Sequence, residues 1–221
     1  MEKAELKSKA KAQLKGNYLI LFLCDLIYQV VNSYSNYLVA LLTKLGTSVA
    51  VDISASSFAG NIIVSAILAP ISISLTLMYL GMIKGENPNI SDMFAGFSFW
   101  IKTIIFMFLH SFLLVLWYML FIVPGIIKGY SYAMAPYIFA ENPDKEAMEC
   151  ITESRKMMKG YKLDLFALQL SFLGWIIVGI LTLGIGFIWI TPYMRATTAN
   201  FYNELKEKPE VNEIITVAIE D

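Results

Sequence analysis

Four polar side chains lie along one stripe of the first long apolar segment. Asp25, Gln29, Asn32 and Asn36 are spaced by four, three and four residues, so in an α-helix they share one face. A carboxylate and three amides can bind a cation, hold a polar ligand or hydrogen-bond to another helix. Because polar groups in hydrocarbon need partners, we expect the stripe to face the interior of a helix bundle or a wet cavity.

A single arginine, Arg195, lies near the middle of the last apolar segment. At about 1.5 Å per residue, Arg195 lies about 13 Å from the outer end of its segment, and Asp25 lies roughly 10 Å from the opposite side. Within a hydrocarbon core of about 30 Å their depths differ by several ångströms. We therefore predict that Asp25 and Arg195 pair, directly or through water. Fixing the register of the helices is the favoured role, and an ion pathway is the alternative.

The chain has one histidine, His110, between Leu109 and Ser111 in the third apolar segment. No cysteine or carboxylate lies near it in that segment, so the sequence predicts no metal site there. Hydrogen bonding to a neighbouring helix is favoured over proton relay.

Enzyme signatures are lacking: the sequence has no HExxH, GxSxG, Walker or paired CxxC motif. Glu141, Asp144 and Asp164 near the inner surface could serve a carboxylate-based membrane enzyme, but ordinary solvated or capping roles are favoured. We expect no catalytic activity and no cofactor. Cys24 and Cys150 are expected to be free thiols.

The composition places the chain among polytopic membrane proteins. Hydrophobic residues make up 57% of the 221 residues, and the mean hydropathy is +0.60. The predicted fold is all-α, a single membrane domain over residues 1–221 with six transmembrane helices arranged as three hairpins. The predicted segments are an N-terminal amphipathic helix at 1–16, spans at 18–42, 60–83, 100–123, 126–142, 163–183 and 185–203, and a cytoplasmic tail at 204–221.

Prolines and glycines divide the apolar segments. Pro124-Gly125 and Thr182-Leu183-Gly184 are predicted hairpin turns, while Pro70, Pro136 and Pro192 are predicted to kink the second helix of each hairpin. Gly125, Gly129 and Ala133 form a face of small residues that allows close approach of a neighbouring helix.

The distribution of basic residues predicts the orientation. If the N-terminus is cytoplasmic, every lysine and arginine except Lys44 and Lys128 falls on the inner side. We therefore expect both termini to be cytoplasmic. No strongly basic surface suggests nucleic acid as a partner.

The two inner loops begin alike, with Glu86-Asn87-Pro88 and Glu141-Asn142-Pro143. In each, Asn is a predicted N-cap and Pro suits the first turn of an amphipathic helix that lies in the inner interface. Gly16, Gly96 and Gly160 are predicted hinges, each after one amphipathic helix. The similarity of the three segments indicates either a threefold repeat or three independent loops that use the same common residue types.

Several basic side chains are candidates for contact with lipid headgroups. Lys128 lies one turn from an outer helix end and can reach the headgroups. The long inner loop carries Arg155, Lys156 and Lys159, which favour anionic lipids on the cytoplasmic face.

The runs LWYMLFIVPGIIKGYSYAMAPYIFAENP and SRKMMKGYKLDLFALQLSFLGW, followed by TLGIG, TPY and NFY, carry a family resemblance. With these elements the chain resembles the bacterial integral-membrane family known as domain of unknown function 975, most densely from Trp117 to Tyr202. The resemblance implies a multi-pass protein of the bacterial cytoplasmic membrane. It implies no activity and no catalytic residues.

Two functions remain open from the sequence. The first is a membrane-embedded binding or translocation module for a small molecule, peptide or lipid, with a cavity lined by the polar stripe and Arg195. The second is a non-transporting accessory or scaffold that packs on an exporter or a lipid-handling partner, or on a second copy of itself, with a sealed centre.

Overall fold

The computed structural model describes residues 3–46, 53–182 and 186–208, but not the side chains of residues 35, 36 and 38–63. The described residues are all-helical and contain no strand. The helices are α1 Lys3–Leu14, α2 Tyr18–Gly46, α3 Ile53–Ile83, a 3₁₀ helix Ile90–Phe99, α4 Trp100–Leu120, α5 Ile122–Tyr132, α6 Ala135–Glu141, α7 Ala147–Met157, α8 Lys162–Leu170, α9 Leu173–Leu181 and α10 Phe187–Lys206.

Three helical stretches in the described part of the chain are long and apolar enough to cross a membrane: Val64–Ile83, Ile90–Leu120 and Lys162–Leu181. A fourth is present if α1 and Tyr18–Tyr34, which meet at a bend of 96°, count as one span. This assessment rests on length and composition. The α5–α6 pair and α10 are not among these stretches, so the observed helices support membrane association but do not establish six spans.

The helix breaks differ in position from the sequence-based ones. The turn between α4 and α5 is at Phe121, whose backbone is extended (φ −159°, ψ 146°), and not at Pro124-Gly125. Pro124 lies in the first turn of α5, where the missing N–H would have had no partner in the helix. The predicted span 126–142 is two helices, because Pro136 begins a new helix at α6. The predicted span 163–183 is also interrupted, at Ser171 and Phe172 between α8 and α9.

The turns after the inner helices use glycine, with one correction. Gly16 and Gly160 have φ values of +102° and +90°, a left-handed conformation that favours glycine and turns the chain as predicted. Gly96 does not form the predicted hinge: the third left-handed glycine among the described residues is Gly85, with φ +88°, which follows α3 and precedes the 3₁₀ helix. Gly96 lies inside the 3₁₀ helix and is buried. A lysine precedes each of the three left-handed glycines.

The N-caps after the Glu-Asn-Pro motifs also lie further along the chain than predicted. The 3₁₀ helix begins at Ile90 with Asn89 as its N-cap, and α7 begins at Ala147 with Glu146 as its N-cap. Asn87 and Asn142 therefore belong to the connecting turns and do not cap these helices.

Gly96 allows the 3₁₀ helix to pack closely on the middle of α3. The backbone N–H of Gly96 donates to Ser74 Oγ at 2.7 Å, and Ser74 Oγ donates to the carbonyl oxygen of Pro70 at 2.8 Å. A Cβ on Gly96 would overlap that carbonyl oxygen. The 3₁₀ helix is therefore fixed against α3 at the proline.

The small face of α5 packs against α4 as predicted. A Cβ on Gly125 would lie 2.5 Å from the ring of Tyr118, and one on Gly129 would lie 3.5 Å from the hydroxyl of the same tyrosine. The absence of side chains at these glycines makes room for the Tyr118 ring inside the α4–α5 hairpin.

The buried core lies away from the ends of the α4–α5 and α9–α10 hairpins. Its largest fully buried side chains include Tyr79, Phe106, Phe139, Phe172 and Phe201. The apolar face of α1 belongs to this core, because Leu6, Ala10 and Leu14 are buried, and α1 packs extensively against α10. That face therefore packs on protein and not on lipid.

The α4–α5 and α9–α10 hairpins expose large apolar side chains. Examples are Phe112, Leu116, Met119, Phe121 and Val123, in the second half of α4 and around its turn into α5, and Trp175, Ile180, Leu181 and Trp189, in α9 and the beginning of α10. Many exposed large apolar side chains on the same helices are typical of contact with lipid or with another protein.

Candidate functional site

Asp25 lies at the junction of α2, α3 and α10 and is 2% exposed. Arg195 Nη1 lies 3.3 Å from Asp25 Oδ1, so the structure contains the ion pair that the sequence predicts. The hydroxyl of Tyr79 donates a hydrogen bond to Asp25 Oδ2. Oδ1 is buried and accepts no hydrogen bond from any residue that the structure describes. One carboxylate oxygen therefore keeps capacity for a further donor.

Sequence reasoning missed Tyr79. It lies in an apolar run of α3, where a tyrosine is also a common core residue, so no pattern singles it out. Its signal is physical: a fully buried tyrosine hydroxyl needs a hydrogen-bond partner. The ring is 1% exposed, and Asp25 supplies that partner.

A cleft of about 410 Å³ lies beside Asp25, between α2 and α10. Asp25 and Gln29 line it together with apolar side chains and Thr191. The other two members of the predicted stripe do not line it: Asn32 is exposed, and the side chain of Asn36 lies outside the described residues. The stripe is thus divided, with only its first two residues at the cleft.

His110 makes the predicted interhelical hydrogen bond. Its Nε2 lies 3.3 Å from the carbonyl oxygen of Tyr132, to which it donates, because a carbonyl can only accept. That carbonyl is the one that Pro136, four residues later, leaves without a backbone donor. His110 thus supplies a hydrogen-bond donor to the Tyr132 carbonyl, which Pro136 leaves without one.

Ser154 of α7 satisfies two further groups at the same break. Its hydroxyl accepts from the backbone N–H of Met134 at 3.2 Å and donates to the carbonyl oxygen of Ser131 at 2.9 Å. Side chains from α4 and α7 therefore supply the hydrogen-bond partners of the backbone groups that are left unpaired at the break between α5 and α6.

Pro192 in α10 has the same kind of compensation. It leaves the carbonyl of Ile188 without a helical donor, and the hydroxyl of Tyr18 donates to that oxygen at 3.1 Å. This bond also holds the beginning of α2 against α10.

Glu141, at the end of α6, joins three helices. Its side chain is 8% exposed, and its carboxylate oxygens lie 2.9 Å from Lys84 Nζ and 2.6 Å from Lys206 Nζ. The hydroxyl of Tyr202 donates to it at 2.8 Å. The expected solvated or capping role is therefore wrong for Glu141, which is a buried counter-ion. Its distinguishing feature, convergence of α3, α6 and α10, arises only in the fold.

Asp144 matches the expected solvated role. It is exposed and pairs with Lys102 at 2.6 Å. The hydrogen bond and charge of Lys102 lower the pKa of the Asp144 carboxyl below its ordinary value.

Lys128 and Arg155 lie at more similar depths along the helix bundle than the predicted topology allows. The Ser154 hydroxyl, beside Arg155, bonds to Ser131, and Ser131 is about one helical turn from Lys128. The expected topology placed Lys128 toward the outside and Arg155 in an inner loop. The structure differs because α7 packs against α4, α5 and α6 instead of extending away from them.

The basic side chains predicted to contact headgroups differ in their surroundings. Lys128 Nζ lies 4.3 Å from the centre of the Trp117 ring, a cation–π contact across the α4–α5 hairpin. Arg155, Lys156 and Lys159 are exposed.

Metal binding finds no support in the described ranges. They contain no group of three or more histidine, cysteine or acidic side chains arranged to hold a metal ion.

Both cysteines are buried and free. Burial raises the pKa of the Cys150 thiol to about 12, and nearby Glu153 adds to the rise. A thiol with such a pKa is neutral at physiological pH and is a poor nucleophile.

Comparison with known proteins places this architecture in a family but adds no activity. Neither the curated proteins nor the solved structures give a significant match. The family described as "Protein of unknown function (DUF975)" matches residues 1–128 and 122–209, which together cover nearly the whole chain. The chain therefore belongs to the DUF975 family.

Proposed function

We propose that this protein is a membrane-embedded binding module, without enzymatic activity, that holds a small amphiphilic ligand in the cleft between α2 and α10. The observation that carries the proposal is the buried Asp25 carboxylate. One of its oxygens, Oδ1, forms the ion pair with Arg195 but accepts no hydrogen bond from the described residues, and Asp25 is among the residues that line the cleft.

The chemistry of the cleft restricts the ligand. Asp25 and Gln29 offer acceptors for an ammonium or another hydrogen-bond donor, while Phe22, Leu26 and Phe187 provide apolar contact. A molecule with a cationic or donor-rich head and an apolar body fits both features. Translocation would be a further step of the same module and would require the cleft to open to the other side.

The membrane arrangement is part of the proposal. Six spans in three hairpins, with both termini cytoplasmic in a bacterial plasma membrane, would place the apolar surfaces of the hairpins in lipid and the basic residues of the inner segments at the cytoplasmic face. In this arrangement α7 reaches toward Lys128, so Arg155 would lie near the depth of that lysine and not in a loop apart from the bundle. The packing of α2 on α3, α4 on α5 and α9 on α10 supports the hairpins. Exposed Arg155, Lys156 and Lys159 would contact anionic headgroups on the cytoplasmic face.

Native mass spectrometry of the purified chain tests the binding proposal. We expect wild-type protein to retain a small molecule that Gln29→Trp loses, because a large side chain at this position fills the cleft without altering the Asp25–Arg195 pair. Val30→Trp is the matched control, since Val30 is exposed but does not line the cleft. Identical bound species in wild type and Gln29→Trp would contradict the proposal.

The alternative is a scaffold that packs on a membrane protein partner or a second copy. The exposed apolar surfaces of the hairpins favour it, because they could contact protein as well as lipid. Purification in a mild detergent separates the two functions. A stoichiometric protein partner whose binding is unaffected by Gln29→Trp would favour the scaffold.

A further inference from the structure

A second concave surface, with a volume of about 800 Å³, lies between α1 and the α9–α10 hairpin. It is separate from the Asp25 cleft and shares no lining residue with it. We call it the α1 groove. Lys11, Lys15, Tyr18, Trp175, Trp189 and Ile190 are among the side chains that line it.

The groove exists because α1 is held across α10. The chain bends by 96° between α1 and α2, at the left-handed Gly16. Lys7 Nζ donates to the carbonyl oxygen of Ser171 at 3.0 Å and lies 4.2 Å from the centre of the Phe172 ring. The Tyr18 hydroxyl binds α10 at Ile188. Three contacts thus hold α1 and the beginning of α2 against Ser171, Phe172 and α10, beside the groove.

The cations on α1 differ in whether they have partners. Lys7 is bound to Ser171, and Lys9 pairs with Glu5 at 2.8 Å. Lys11 and Lys15 lie one helical turn apart at the groove and are exposed, and neither forms an ion pair with a residue that the structure describes. The two positive charges at the groove are therefore available to an anion.

The rest of the lining is mainly apolar and aromatic. Trp175 and Trp189 are 54% and 57% exposed, although tryptophan is among the side chains that gain most from burial. Tryptophan and lysine side chains together are typical of the membrane–water interface, where an indole contacts acyl chains and an ammonium contacts phosphates. An anionic head and an apolar tail would complement the two ends of the groove.

We propose that the α1 groove binds one anionic phospholipid, with its phosphate at Lys11 and Lys15 and an acyl chain along Trp175, Trp189 and Ile190. The bound lipid would cover apolar surface that the protein leaves exposed and would hold α1 against the α9–α10 hairpin. This site uses neither Asp25 nor the basic residues of α7.

Fluorescence quenching by brominated lipid tests the proposal in the full chain. In a Trp100→Phe, Trp117→Phe background, Trp175 and Trp189 are the two remaining tryptophans, and their emission is excited selectively at 295 nm or longer wavelengths, where tyrosine does not absorb. We expect phosphatidylglycerol with a dibrominated acyl chain to quench them at a concentration roughly tenfold lower than equally brominated phosphatidylcholine. The preference follows from two cations near one anionic headgroup.

Matched variants distinguish lipid binding in the α1 groove from a general effect of the positive charge on α1. Lys11→Gln with Lys15→Gln should remove the preference for phosphatidylglycerol. Lys3→Gln with Lys9→Gln, which removes the same charge from the same helix, should keep it. Ala12→Phe should weaken quenching by both lipids because Ala12 lines the groove, whereas Ala4→Phe on the exposed surface of α1 should not.

Monodisperse elution and an unchanged circular dichroism spectrum are required of every variant before its quenching is compared. Equal quenching by the two lipids would overturn the proposal, and so would an equal loss in the two lysine pairs. Recovery of fluorescence on adding inorganic phosphate would show that the site takes a free anion and not a lipid, which would also overturn it.

Discussion

Asp25 and Arg195 meet across α2 and α10, with Arg195 Nη1 3.3 Å from Asp25 Oδ1. The two partners are unequally buried: the aspartate side chain is 3% exposed and the arginine side chain is 31% exposed. The carboxylate therefore depends on protein contacts, while the guanidinium retains access to the surroundings. This asymmetry predicts that removal of the arginine charge and removal of the aspartate charge reduce the stability of the protein by different amounts.

We expect Arg195→Gln to destabilise the protein more than Asp25→Asn. Arg195→Gln leaves a buried carboxylate without its cation, whereas Asp25→Asn leaves a partly exposed guanidinium and a neutral amide that can still accept from Tyr79. Loss of one partner of a buried pair costs about 3–5 kcal/mol, and partial exposure reduces this. The apparent melting temperature in detergent is the measurement.

The double variant Asp25→Asn with Arg195→Gln should lose less stability than the sum of the two single losses. Tyr79→Phe should be milder than Arg195→Gln, because it removes one hydrogen bond and no charge. Additive losses in the double variant would show that the two groups do not interact in the folded protein.

The sequence was sufficient to predict this pair because depth within an apolar helix can be counted from residue numbers. It could not identify Tyr79 or the role of Glu141, because a tyrosine in an apolar run is commonly a core residue and a carboxylate at a helix end is commonly solvated, so neither pattern indicates the partner that the fold supplies. The break at Phe121 was also not predictable from Pro124, because a proline is accommodated in the first turn of a helix. Local sequence thus locates polar residues by depth, while packing decides which of them meet.

The position of α7 could not be predicted from the sequence either. Its amphipathic pattern is equally compatible with a membrane surface and with a protein surface, because both accept an apolar face. Its buried residues include Cys150, Ile151 and Met157, which pack within the core. The contact that decides the matter is Ser154 with the break between α5 and α6, and no periodicity of α7 encodes it.

Gly96→Ala should destabilise the protein, because a Cβ there would overlap the carbonyl oxygen of Pro70 and would lie 2.7 Å from Ser74 Oγ. The 3₁₀ helix would have to move away from α3 and lose the hydrogen bond to Ser74. Overpacking of this kind costs about 1–3 kcal/mol. Thermal unfolding in detergent measures the loss.

Gly174→Ala is the matched control for Gly96→Ala. Nothing lies within 4 Å of a Cβ built at Gly174, which is in α9. Alanine is favoured over glycine inside a helix by about 1 kcal/mol, so this change should be neutral or stabilising. Equal effects at the two glycines would contradict the close packing of the 3₁₀ helix on α3.

Glu141→Gln should lower the stability of the protein by about 1–3 kcal/mol, because a neutral amide cannot replace the counter-ion of Lys84 and Lys206. The hydrogen bond from Tyr202 can persist, so the loss reflects charge. Glu149→Gln is the control: Glu149 is more exposed, and its nearest lysine is 3.9 Å away. If both substitutions shift the melting temperature equally, Glu141 is not a structural counter-ion.

Cys24 and Cys150 should resist alkylation by a maleimide in the folded protein. Both thiols are buried, and the raised pKa of Cys150, about 12, keeps it protonated over the ordinary pH range. Because its thiolate forms only as the pH approaches that value, raising the pH from 7 to 9 should not promote labelling. Mass spectrometry should show no adduct before unfolding in sodium dodecyl sulfate and two adducts afterwards. Rapid labelling of the native chain at pH 7 would show that a thiol is accessible.

The contact between His110 and Tyr132 predicts a rescue that depends on Pro136. His110→Leu should destabilise the protein by about 1–3 kcal/mol, because the carbonyl of Tyr132 loses its donor and stays buried. In the Pro136→Ala background the new backbone N–H at position 136 can bond to that same carbonyl, so His110→Leu should then cost much less. A double-mutant cycle on the melting temperature isolates this coupling.

His110→Phe is a useful second variant, because it keeps an aromatic ring stacked on Phe106 while it removes the donor. If His110→Leu costs as much in the Pro136→Ala background as it does with the proline in place, the imidazole contributes packing alone and does not compensate for the proline.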